Sequence, residues 1–163
     1  IIFELAPTFT ALILAGKVGS NLASELGSMR VTEQIDALEI MGVNTESYLI
    51  ATRIIAAVIT IPVLVAIAAY SGIMGGYIAT SLSSNYSTED YVRGIRMLFD
   101  PFDVQLMFIK SFTFSFIVSS ISCYMGYYVK GGSVEIGKAS TQAVVYSCIF
   151  VLLADYVIAS LLL

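Results

Sequence analysis

Four long apolar stretches, separated by three short polar ones, set the pattern of this chain. They cover residues 1–23, 54–79, 104–129 and 139–163. A hydrocarbon core about 30 Å thick needs roughly 20 apolar residues in helix, so each stretch is long enough to cross a bilayer. The second has no charge and contains Pro62, which a membrane helix tolerates better than a soluble one. The others carry isolated charges: Glu4 and Lys17, then Lys110, then Asp155. The runs lack the apolar–polar alternation of an outer-membrane barrel. The pattern predicts an all-α integral membrane protein, a polytopic bundle of about four transmembrane helices.

The polar segments are 25–53, 81–103 and 130–138. With four spans, the first and third share a side. That side carries Arg30, Arg53, Lys130 and Lys138, against Arg93 and Arg96 on the other. The excess of basic residues places 25–53 and 130–138 in the cytoplasm.

Within 25–53 the spacing predicts a short helix over 32–41. Val31, Ile35, Leu38 and Met41 fall on one face, with Glu33, Asp36 and Glu39 elsewhere around it. Acids early in a helix suit its dipole, and Gly42 is placed to end it. Five acids against one base lie between Glu25 and Glu46. An anionic cytoplasmic leaflet repels such a helix, so its expected partner is a groove on another protein.

Small residues form a second pattern. Ala11, Ala15, Gly19, Ala23 and Gly27 recur every four positions, flanked by Gly16, Ser20, Ser24 and Ser28; Gly72 and Gly76 form a GxxxG. Such stripes let neighbouring membrane helices approach closely, and generic packing explains them.

Composition narrows the function. Apolar residues make up 58% of the chain and charged residues 12%, about half the share usual in a soluble domain. A net charge of −4 without a basic run argues against nucleic acid. There is no His, the commonest general base and metal ligand, and no clustered carboxylates, so neither an enzyme nor a metal site is expected. Cys123 and Cys148 lie in apolar runs and read as core thiols. The run from Gly132 to Ala139 nearly matches a phosphate-binding loop, but Ala139 stands where a hydroxyl must meet magnesium, and apolar helices flank it. Asn85-Tyr86-Ser87 matches a glycosylation sequon, to which no role is assigned.

The stretch from Glu25 to Val43, ELGSMRVTEQIDALEIMGV, resembles the signature of MlaE-type permeases. These are membrane subunits of ABC systems that move phospholipid between the two membranes of Gram-negative bacteria. The resemblance extends through Gly72–Gly76 and the GKASTQAVV run and covers essentially the whole chain. It implies that residues 1–163 are one permease domain, the last three-fifths of a longer chain with an interfacial helix and another membrane helix before Ile1. It implies that Thr32, Glu33, Gln34, Ile35, Asp36, Ala37 and Leu38 form the helix that couples to a cytoplasmic ATPase, in agreement with the acidic docking helix read from the residues. It further implies a homodimer in the bacterial inner membrane, a periplasmic MCE-domain lipid-binding partner, and ATP and magnesium on the ATPase rather than on this chain.

Charges within apolar spans are functional candidates, because burying them is costly. Lys110, six residues into its span, can snorkel to the interface or line a path; Asp103, two turns earlier, shares its face. Lys17 and Asp155 lie deeper, facing a central cavity to meet phosphate or each other. Lipid tails would lie among side chains such as Phe9, Leu12 and Ile13. An ion-coupled carrier using these charges, or a non-transporting scaffold, are the alternatives. Neither accounts for an acidic docking helix.

Overall fold

The computed structural model describes Ile2 and residues 4–83 and 87–162. Among these residues the chain is helical with no strand. α1 (Leu5–Leu14) runs through a π-helical turn (Ala15–Gly19) into α2 (Ser20–Val31). The short α3 (Gln34–Ile40) follows, then a second π-helical turn (Glu46–Ala51) leading into α4 (Thr52–Leu82). α5 (Thr88–Leu98), α6 (Pro101–Tyr127) and α7 (Ser133–Leu162) complete the chain.

Three helices are long and apolar enough to cross a membrane: Glu46–Leu82, Pro101–Tyr127 and Ser133–Leu162. They correspond to the second, third and fourth expected spans. From Leu5 onward, the first expected span lies within the run from α1 through α2, about 40 Å of helix. That run is more polar, because Lys17, Asn21 and Glu25 interrupt it, and it is not one of the three.

α6 is the centre of the bundle and packs against α1, α2, α4 and α7. Its apolar stretch is 56% buried, whereas that of α7 is 11% buried. α7 instead exposes Ile149, Phe150, Leu153 and Tyr156, and α4 exposes Ile55, Ile59, Val63 and Ile67. Such apolar outer faces fit a bilayer, in which a helix need not hide them.

Close packing replaces hydrophobic burial as the force between helices in lipid. On α6, Ser111, Ser115, Ser119, Ser122 and Gly126 make a buried small-residue face. Ser115 and Ser119 donate to carbonyls of their own helix at 2.8 and 2.7 Å, so these hydroxyls need no outside partner. The opposing stripe, Ala11, Ala15, Gly19, Ala23 and Gly27, is buried throughout. A methyl group on Gly126 would lie 2.5 Å from the Ala23 carbonyl oxygen and 2.9 Å from Leu26 Cβ. Gly72–Gly76 serves differently: the Tyr91 ring of α5 occupies the space above Gly76, and its hydroxyl donates to the Ile73 carbonyl at 3.0 Å.

α5 falls in a segment expected to be an irregular loop. Ser87 caps it by accepting from the Glu89 amide at 3.2 Å, and Glu89 and Asp90 occupy its first turn. Asp100 likewise accepts from the Phe102 amide at 2.9 Å and, with Pro101, starts α6. The near-match to a phosphate loop becomes the start of α7 from Ser133 onward. Of the glycosylation sequon, Asn85 and Tyr86 lie outside the described residues.

Candidate functional site: a tethered end helix and a buried charge cluster

The first site is at the α3 end of the bundle. The expected helix over 32–41 forms over Gln34–Ile40, with Glu33 entering it at φ +59°. Gly42, at φ +80°, ends it: its amide bonds the Glu39 carbonyl at 3.0 Å, and the Val43 amide bonds Leu38 at 3.1 Å.

Ile35 and Leu38 of the expected stripe face inward, which corrects the expectation that they dock on a partner, whereas Met41 stays exposed. Ile35 is fully buried against Leu26, Leu49, Cys123 and Tyr127, and Leu38 packs beside it. The chain's own bundle end is the nearest apolar surface, so Ile35 and Leu38 are spent there. What α3 and its ends present outward is Thr32, Glu33, Gln34, Ala37, an 88%-exposed Ile40 and Met41.

Polar bonds tether the helix. Arg30 donates to Asp36 at 3.0 Å, lies 4.0 Å from Glu39, and has its guanidinium carbon 5.6 Å from the centre of the Tyr127 ring. Buried Thr45 and Tyr127 share a hydrogen bond of 2.7 Å, and their hydroxyls lie 3.2 and 3.3 Å from Glu39. The far end of α6 is thereby hydrogen-bonded to α3. Nearby, Arg53 grips Glu25 with two bonds of 2.7 and 2.9 Å, tying the start of α4 to α2. Those bonds hold the Glu25 carboxyl below its ordinary range.

The second site is deep in the bundle. Lys110 has no exposed side-chain surface. Its ammonium lies 2.7 Å from Glu4 and 2.8 Å from Asp155, joining α6 to the start of α1 and to α7. The Asp155 contact is an ion pair rather than an aligned hydrogen bond. Snorkelling is thus corrected: Lys110 stands on the inward face of α6, between Leu106 and Phe114, with no route to the interface. The expected Lys17–Asp155 pair is also corrected. Asp155 meets Lys110, while Lys17 points outward from the π-helical turn and forms no ion pair among the described residues.

The remaining candidates separate. Asp103 lines a groove beside α5 and is not among the acids that meet Lys110. Leu12 packs against the buried Ala11–Phe114 cluster. Phe9 and Ile13 are 58% and 68% exposed, on the outward side that also carries Lys17 and Ser24. Sequence reasoning noticed Glu4 as a charge but gave it no role, and it overlooked Tyr127, Thr45 and the Glu25–Arg53 pair. Only the intramembrane position of Glu4 gave a signal.

The profile of the family described as Permease MlaE matches residues 1–161, essentially this entire bundle. The chain belongs to that family. It is 41% identical over 158 residues to a probable ABC transporter permease protein of Rickettsia bellii, covering 97% of this chain and 61% of that one. It is 33% identical to a protein of the same description from Synechocystis, covering 98% and 60%. It is 34% identical to the chloroplastic protein Trigalactosyldiacylglycerol 1 of Arabidopsis thaliana, covering 96% and 45%. The chain thus spans about three-fifths of the length of its bacterial relatives.

Proposed function

We propose that the chain is the permease part of an ABC transporter that moves phospholipid between the inner and outer bacterial membranes. The observation that carries this reading is α3: a short helix bound to its own bundle by Ile35, Arg30 and Tyr127, with an acidic outward face and two exposed apolar side chains at its end, Ile40 and Met41. A helix held this way transmits force to α6 instead of swinging free. In this reading α3 is the coupling helix on a cytoplasmic ATPase that binds ATP and magnesium. Two permease copies enclose the lipid, with Phe9, Ile13 and Lys17 on the shared face, and a periplasmic MCE-domain protein receives or delivers it. Helices α1 and α2 form a fourth crossing, shielded by the second copy, which accounts for their polarity.

The test is co-purification of the full-length permease with its ATPase from detergent. Glu33→Lys with Ile40→Asp alters the outward face without touching the tether, and is expected to lose the ATPase while the permease stays folded. Retention of the ATPase by that variant would overturn the coupling role.

A further inference from the structure

At the end of the bundle opposite α3, α5 lies across the last turns of α4, about 46 Å of helix from α4's start. It sits between the ends of two membrane-length helices, at the boundary between apolar and polar surroundings. Its sequence is strongly amphipathic, and Met97, Leu98 and Phe99 at its end are exposed.

On one flank is a groove of about 580 Å³ lined by Tyr77, Thr88, Val92, Arg93, Arg96 and Met97. Arg93 and Arg96, one turn apart, both line it. Among the described residues neither guanidinium lies within ion-pair distance of a carboxylate, whereas Arg30, Arg53, Lys110 and Lys138 all do. Glu89 is the groove's one acid. Asp90 and Asp103 line the separate groove on the other flank, and Asp100 is engaged in capping α6. The groove therefore carries two cations against one anion, with hydroxyls beside them and apolar side chains below.

We infer that this groove holds the phosphate of an anionic phospholipid from the leaflet on the α5 side. Guanidinium forks suit phosphate oxygens, and the Tyr77 and Thr88 hydroxyls can complete the donor set. Val92 and Met97 supply the surface along which the first carbons of the acyl chains lie. The inference rests on α5 lying at the membrane boundary and is independent of ATPase coupling. Retention of the ATPase by the Glu33→Lys/Ile40→Asp variant, with the lipid preference intact, would sink the coupling reading alone.

The experiment is native mass spectrometry of the full-length permease equilibrated with equal amounts of phosphatidylglycerol and phosphatidylcholine. The wild type is expected to retain phosphatidylglycerol severalfold over phosphatidylcholine. R93Q/R96Q should abolish that preference, R93K/R96K should keep part of it, and K130Q/K138Q at the opposite end should leave it unchanged. An undiminished preference in R93Q/R96Q, or its loss in K130Q/K138Q instead, would overturn the inference. The wild type alone supplies a second arm should the variants fail to fold. Exposed guanidiniums are screened by salt, so the preference should fall as ionic strength rises, and a salt-independent preference overturns the assignment.

Discussion

Replacing Lys110 with Met removes the one cation buried among the described residues and keeps most of its volume. Two carboxylates, Glu4 and Asp155, then face each other without compensation. Both lie within 2.8 Å of the lysine nitrogen, so their oxygens are no more than about 5.5 Å apart. At an effective dielectric constant of about 20, two like charges at that distance repel by roughly 3 kcal/mol. Measured losses on breaking buried pairs, about 3–5 kcal/mol, agree. Glu4 keeps partial access to solvent, which pulls the figure toward the lower end. At about 2–4 °C per kcal/mol, the thermal midpoint should fall by roughly 6–12 °C.

The chain has no Trp, so intrinsic tryptophan fluorescence is of no use. Cys123 is fully buried, and a thiol-reactive dye reports its exposure on unfolding. The decisive comparison adds Glu4→Gln and Asp155→Asn to Lys110→Met. If unpaired charge is the cause, this triple variant recovers most of the lost midpoint despite carrying more substitutions. An unshifted midpoint for the single variant, or a triple variant no more stable than the single, would refute the electrostatic account.

Gly126→Ala drives a methyl group into the Ala23 carbonyl and should destabilise by about 1–3 kcal/mol, read by the same dye. Gly16→Ala, with nothing within 4 Å, should be neutral or slightly stabilising. Tyr127→Phe removes one partner each from Thr45 and Glu39, and should cost about 1 kcal/mol and speed hydrogen exchange of α3 amides relative to those of α6. The depressed Glu25 carboxyl contributes stability that is present above its unfolded-state pKa, about 4.3, and is lost as pH falls through the lower folded value. Glu25→Gln should therefore flatten the acid side of the stability profile, by less than about 1 kcal/mol because the Glu25 carboxylate is solvent-exposed.

What the sequence disclosed follows from the range over which each signal acts. Apolar runs 54–79, 104–129 and 139–163 became α4, α6 and α7, because bilayer thickness is a local constraint on length. The four-residue stripe from Ala11 to Gly27 was readable for the same reason, and so was Gly42 as a terminator. α5 was missed although Ser87, Glu89, Asp90 and the Asp100–Pro101 step all mark helix ends, because a search for apolar length passes over an amphipathic helix. Helical spacing also showed that Val31, Ile35 and Leu38 share a face, but spacing cannot say which body that face meets. Glu4 and Lys110 stand 106 positions apart, and no local pattern couples them.

The same limit explains Lys17 and Lys110. Both are lone lysines in apolar spans; position along the run ranks Lys17 as the deeper, and the fold reverses that order. The fold separates them through the four-residue face of α6, which turns Lys110 toward Asp155 and Glu4, and through the π-helical turn at Ala15–Gly19, whose buried face is Ala15 and Gly19 and whose outer face is Gly16 and Lys17. π-helical turns recur at functional sites, because they re-aim a side chain without ending the helix. One lysine therefore closes the bundle, and the other is offered to whatever covers Phe9 and Ile13. A charge left among exposed apolar side chains is costly in lipid and inexpensive beside water or phosphate. That contrast makes the α1–α2 face a better candidate for a hydrated, lipid-handling surface than for one bathed in acyl chains.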